Sequence, residues 1–350
     1  MKKFTTVGAA LMLTTTAAYA GGIDRSGQSI GAIFEDGKYV ELSYGYVMPS
    51  VTGTDPFTTG SDNIAPDYGN VGLAFKTDLD DKVSLAVIID QPFGANVSYD
   101  NTAYLIGGSG ANVETTSITA VGRYKFNENV SVFFGPRYLS ASGDYTAAQF
   151  GTVLYTSTYA SGSGTGYVAG AAYERQDIAM RVALTYSSAI DLELDGTGAG
   201  GLGDLTATMP QSVNLEFQSG VAADTLVFGS VRWAEWSQAH ITDAVFGELV
   251  SWDDDVLTYT LGVGRKFSDK FSGAVSVGYE KELGGAVSNL SAKDGYTSIS
   301  VGGTYTLDNG IELTGGVRYI MVGDATTEKI GAVFADNSAV AVGLKVAYNF

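Results

Sequence analysis

VAVGLKVAYNF, residues 340–350, puts Val340, Val342, Leu344, Val346, Tyr348 and Phe350 on one side of an extended chain. Ala341, Gly343, Lys345, Ala347 and Asn349 fall on the other. An oily face backed by small or polar residues is what a strand needs when it separates lipid from a lumen. The same period returns upstream. Val83, Leu85, Val87 and Ile89 alternate with Ser84, Ala86, Ile88 and Asp90, and Ile178, Met180, Val182, Leu184 and Tyr186 with Ala179, Arg181, Ala183 and Thr185. Leu257, Tyr259, Leu261 and Val263 alternate with Thr258, Thr260, Gly262 and Gly264. A soluble sandwich would show more charge on its polar faces.

Lipid offers backbone N–H and C=O groups no partner, so spanning strands must pair into a closed sheet. Short polar turns at Asp78–Asp81, Asn127–Asn129, Arg175–Asp177, Ala222–Asp224, Ser268–Lys270 and Leu307–Gly310 suit the periplasmic side. Longer Gly/Ser/Thr/Asp-rich stretches between them suit extracellular loops, notably Asp100–Glu114, Gly143–Gly164, Leu194–Thr206, Ala239–Trp252, Leu283–Asp294 and Gly323–Asn337. Six short turns and seven longer loops predict an all-β, transmembrane antiparallel β-barrel of about 14 strands over residues 38–350. Aromatics near strand ends, such as Tyr44 with Tyr46 and Tyr124 with Phe126, fit interfacial girdles.

The two ends of the chain agree with this. Lys2 and Lys3, an apolar Val7–Leu13 and small residues at Ala18 and Ala20 read as a secretory signal over residues 1–20, with the mature chain starting at Gly21. No later segment has the ~20 continuous apolar residues of a spanning helix. A last strand ending at Tyr348 and Phe350 resembles the C-terminal signal by which the barrel assembly machinery recognises bacterial outer-membrane barrels. The expected place is the outer membrane of a Gram-negative bacterium, among its lipid and lipopolysaccharide.

Composition narrows the chemistry. With 20 Lys and Arg against 38 Asp and Glu the chain carries −18, which argues against nucleic acid. There is no cysteine, so neither disulfides nor thiolate metal sites are available. The single histidine, His240, cannot build a usual zinc site, and Ser237 lies three residues away, on the opposite face of an extended segment. Asp253, Asp254 and Asp255 lack calcium-loop spacing, and no helix follows the Gly162–Gly166 run. The expectation is no enzyme, no cofactor and no metal.

Residues 45–99 read GYVMPSVTGTDPFTTGSDNIAPDYGNVGLAFKTDLDDKVSLAVIIDQPFGANVSY. With the run Asp62-Asn63-Ile64-Ala65-Pro66, the interruption Gln91-Pro92-Phe93-Gly94, the Met209-Pro210 entry and Arg232-Trp233-Ala234-Glu235-Trp236-Ser237-Gln238, the chain resembles the outer-membrane long-chain fatty acid and hydrocarbon transporters of the FadL/TodX type. The resemblance extends over most of the barrel. It implies a fourteen-stranded barrel that passes fatty acids or aromatic hydrocarbons by diffusion, capturing them at extracellular loops and releasing them sideways. The family's N-terminal hatch of small helices and its Asn-Pro-Ala motif have no counterpart in residues 21–37, so a much shortened, plug-like segment is expected. Ile30, Ile33 and Phe34 are its candidate apolar stopper.

Three sets of residues become candidate sites. Pro92 removes a ladder donor and Gly94 has no side chain, so the third strand should kink there and open a lateral exit lined by Phe93. Phe150, Val153, Leu154 and Tyr155 form an apolar run that a wet loop has little reason to carry, and are the candidate capture residues. Arg123, Arg137, Arg181, Arg232 and Arg318 fall on the inward face, since an unpaired charge facing lipid costs about 2–4 kcal/mol near the midplane. Glu41, Asp90, Glu216, Glu280 and Glu312 are inward too. The arginines either build a structural network with these carboxylates or contact a ligand carboxylate. The rival functions are a general polar porin and a surface barrel that only anchors its loops.

Overall fold

The computed structural model describes residues 22–201 and 203–350, so the secretory segment at 1–20 lies outside the described residues. Fourteen antiparallel strands close into one barrel. They are β1 (Tyr39–Ser50), β2 (Tyr68–Asp78), β3 in two pieces (Val83–Asp90 and Gly94–Ser98), β4 (Gly110–Lys125), β5 (Val130–Gln149), β6 (Thr152–Arg175) and β7 (Met180–Ser187). The second half is β8 (Ser212–Ala222), β9 (Thr225–Ala234), β10 (Val256–Lys266), β11 (Phe271–Glu280), β12 (Tyr296–Thr306), β13 (Glu312–Val322) and β14 (Ser338–Asn349). β14 pairs with β1, Lys345 opposite Ser43 and Gly343 opposite Gly45, so the wall has no free edge there.

The alternation is that of a lipid-facing wall. Leu344 is 63% exposed and Leu261 53%, while Ala341 and Ala183, on the other face of their strands, are 4% and 1% exposed. Aromatic pairs meet at strand ends, Tyr348 stacked on Phe350 at 5.7 Å and Tyr124 edge-on to Phe126 at 5.3 Å. The six tight turns fall at the end of the barrel that also holds the start of β1 and the end of β14.

The loop end is more ordered than the sequence suggests. Gly143–Gly164 is a hairpin, not a loop: β5 and β6 have 20 and 24 residues, about twice what a tilted span requires. The other connections form two small sheets. Ile190–Leu194, Leu205–Met209, His240–Asp243 and Gly247–Ser251 make one, and Gly53–Thr54, Ala286–Val287, Ala325–Thr327 and Val333–Phe334 the other. Residues 22–37 run inside the barrel, with one 3-10 turn at Gly31–Phe34.

Candidate ligand path

The wall is interrupted at the predicted place. Leu73 opposite Ile89 is the last rung between β2 and the first piece of β3, and the second piece pairs with β4. Above that rung the Gln91 side-chain carbonyl accepts from Val71 N–H at 2.8 Å. Residues 23–25 lie along the break: Gly94 N–H donates to Ile23 O at 2.9 Å and Arg25 N–H to Pro92 O at 2.8 Å. The Arg25 guanidinium sits 4.2 Å over the ring of Tyr68 on β2, so the segment touches both sides. Phe93 turns inward rather than into the break, its ring edge-on to Trp236 at 6.1 Å.

Gly94 is the position that lets Arg25 lie there. A Cβ at Gly94 would stand 2.6 Å from the Arg25 guanidinium. Gly94→Val is therefore expected to push the Arg25 guanidinium off Tyr68 and loosen residues 23–25 while leaving the barrel folded. Faster hydrogen exchange at residues 23–27 with an unchanged heat-modifiable gel shift would show it, and unchanged exchange would count against this packing.

The segment then crosses the lumen, held by individual contacts to the wall. Asp24 pairs with Arg232 at 3.3 Å, Ser26 donates to Asp90 at 2.8 Å, Asn214 to Gly27 O at 2.9 Å and Ser29 to Glu216 at 3.0 Å. Arg137 donates to the Gln28 side chain. Ile30, Ile33 and Phe34 are buried against Ala86, Val121, Phe133, Val168, Ala172 and Ala183. Burial, outweighing Arg232 and Lys293, pushes Asp24 up to about 6. The crossing is imperfectly satisfied: Asn70 Oδ1, Asn214 Oδ1 and Arg232 Nε have no protein partner. Each such buried group weakens docking by about 1–3 kcal/mol unless water reaches it.

All five arginines point inward, and several of them find partners outside the expected carboxylates. Arg123 pairs with Glu174, Arg232 with Asp24, Arg318 donates to Ser298, and Arg181 lies 4.6 Å from the Phe34 ring centroid. Glu41 pairs with Lys345 at 3.3 Å, Glu216 accepts from Ser29, and Glu280 accepts from Thr258. The partners Asp24, Gln28, Ser29 and Phe34 belong to the N-terminal segment, whose place inside the barrel is a tertiary fact.

Three cavities follow this segment. One of about 50 Å³ lies under the loops, lined by apolar groups such as Leu192, Leu205, Met209 and Ile241. One of about 70 Å³ lies beside the break, among Arg25, Tyr68, Gly94, Ala95 and Lys293. The third, about 140 Å³, lies in the lumen among Glu35, Asp90, Arg181 and Lys345, and reaches Val71 and Leu73 on the outer wall. The capture run is divided. Phe150, Val153 and Leu154 are exposed at the hairpin tip, whereas Tyr155 donates to Asp243 at 2.8 Å and stacks on Phe246 at 5.5 Å.

A closed barrel with a broken third strand and an occupied lumen matches one family model, described as outer membrane protein transport protein (OMPP1/FadL/TodX), over residues 22–350. The chain belongs to that family. It is an outer-membrane protein, and the family consists of transport channels for hydrophobic compounds. No curated protein sequence matches.

Solved structures share the fold at low identity. A Pseudomonas aeruginosa FadL homologue is 13% identical, with a TM-score of 0.74 covering 91% of this chain and 92% of its own. The P. putida toluene transporter TodX is 12% identical, with a TM-score of 0.69 over 91% and 92%. The Ralstonia pickettii toluene transporter TbuX is 13% identical, with a TM-score of 0.67 over 91% of each chain. The sequence pointed to the break and to the lumen arginines but not to Ile23, Asp24, Arg25, Leu290 and Lys293, which line the cavity beside the break. Two opposite charges at Asp24 and Arg25, in a stretch inside the barrel too short to form a domain, were the available signal.

Proposed function

We propose that this FadL/TodX-family channel takes up hydrophobic compounds passively, long-chain fatty acids among them, from the loop-side cavity to a lateral exit at Pro92–Gly94. The observation that carries this reading is the line of cavities from apolar loop groups to the outer wall at Val71, beside the only strand built in two pieces among those described. Phe150, Val153 and Leu154 stand exposed where a ligand first meets the protein, and Ile30, Ile33 and Phe34 act as the plug below. Tyr348 and Phe350 serve as the assembly signal, read by the barrel assembly machinery.

Cations lie on this path where a carboxylate would need them. Arg25 and Lys293 line the cavity beside the break, and Arg181 with Lys345 the lumen cavity. Arg123, Arg137, Arg232 and Arg318 line none of the three and fit the structural role. Lys293→Met should weaken binding of labelled palmitate by roughly 10-fold or more and leave toluene binding unchanged, since a charge-assisted hydrogen bond contributes about 1.5–3 kcal/mol. Mass spectrometry of the purified protein should find co-purified fatty acid. A protein that binds neither probe yet passes ions freely would make the chain a polar porin instead.

A further inference from the structure

The loop-side cavity and the cavity beside the break meet at three residues, Ile23, Ala95 and Leu290, which line both. Each comes from a different part of the fold. Ile23 belongs to the N-terminal segment and is tied by its carbonyl to Gly94 N–H at 2.9 Å. Ala95 lies in the second piece of β3, opposite Val113 on β4. Leu290 hangs from the connection between β11 and β12, where Leu290 N–H donates to Ser288 Oγ at 3.2 Å and Ser288 Oγ to Leu249 O at 3.3 Å. Together they form an apolar septum shared by the two spaces.

Volumes decide what the septum must do. At about 50 and 70 Å³, each cavity is under half the ~150 Å³ of an apolar cavity that holds benzene. The two merged, with the septum moved aside, approach that size. The three members are unequally able to move. Alanine has no side-chain rotamers, β-branched Ile23 is stiff at χ1 and anchored by its backbone, and Leu290 is held outside any strand.

We propose that Ile23, Ala95 and Leu290 are the gate and size filter of this channel, with Leu290 the moving part. This rests on the transport reading above. A ligand wedges Leu290 outward, joins the two cavities and passes in single file, so its narrow cross-section and not its length decides whether it enters. A linear alkyl chain passes most easily, a single ring next and a fused pair of rings least.

The test uses the full chain in proteoliposomes with three labelled probes: dodecanoate, toluene and naphthalene. Leu290→Ala should raise the naphthalene-to-toluene uptake ratio by roughly tenfold, the scale on which a few methylenes in an apolar site discriminate. Ala95→Leu should reduce uptake of all three, naphthalene most and dodecanoate least. The heat-modifiable gel shift establishes that both variants are folded, and Leu290→Ile, which keeps the bulk, should preserve the wild-type ratio. Ratios that stay constant across folded variants, with a wild type that takes up the probes, would overturn the septum alone. A wild type that binds and takes up none of the probes would overturn the transport reading and the septum with it.

Discussion

Phe34→Ala is expected to turn a nearly silent barrel into an ion-conducting one. The Phe34 ring is buried edge-on to Phe133 at 5.8 Å and 87°, with the guanidinium carbons of Arg123 and Arg181 at 4.7 and 4.6 Å from its centroid. It thus ties the N-terminal segment to β4, β5 and β7 together. Removing a buried phenylalanine weakens packing by about 3–5 kcal/mol, and each 1.4 kcal/mol changes a population tenfold, so the undocked fraction should rise by more than ~100-fold. The released arginines would line an aqueous lumen. Planar-bilayer conductance measures it, and a Phe34→Ala barrel as silent as the wild type would mean that the segment does not close the lumen.

The second large effect is a dependence of that leak on pH, in the direction opposite to an ordinary salt bridge. Docked, Asp24 is pushed up to about 6 from an ordinary value near 3.8, because loss of water outweighs Arg232 and Lys293. The docked form therefore binds a proton more tightly than the released form. Docking gains its full advantage below about pH 4 and loses it as pH rises through about 6, a difference of about 3 kcal/mol. Glu35, pushed up to about 7 by burial, adds the same sign over a slightly higher range. Wild-type leak should be smaller at pH 5 than at pH 8, and Asp24→Asn should flatten most of the dependence, leaving what Glu35 contributes. A leak that grows on acidification would show that the ion pair, not desolvation, governs the segment.

The sequence revealed the membrane-facing wall because lipid imposes one requirement on every strand: the oily residues must alternate. Leu257, Leu261, Leu184 and Val346 obey it, and the same rule forced the arginines inward. The kink was legible because proline and glycine act through the backbone of their own strand. The Gly143–Gly164 hairpin was not. Above the membrane its strands meet water on one face, so Thr156, Thr158 and Ala160 replace the oily stripe and the segment reads as a loop. Tyr155 read as a capture residue because apolar sequence neighbours surround it, yet its hydroxyl is taken by Asp243, 88 residues away. The individual contacts of residues 22–34 were equally hidden, since the partners Asn214, Glu216 and Arg232 lie about two hundred positions downstream and no periodicity marks a segment that packs this way.

The account rests on the break between β2 and β3 being the exit, and a cross-link across it tests that most directly. The chain has no cysteine, so Val71→Cys with Gln91→Cys gives a single thiol pair where the Val71 amide and the Gln91 side chain now meet. Uptake of labelled palmitate is measured before bridging the pair with a reductant-cleavable dithiol reagent, after bridging, and after cleavage. The account predicts loss of uptake on bridging and recovery on cleavage, with binding at the loop side unchanged throughout. Uptake that continues through the bridged wall would place the exit elsewhere and contradict the lateral route.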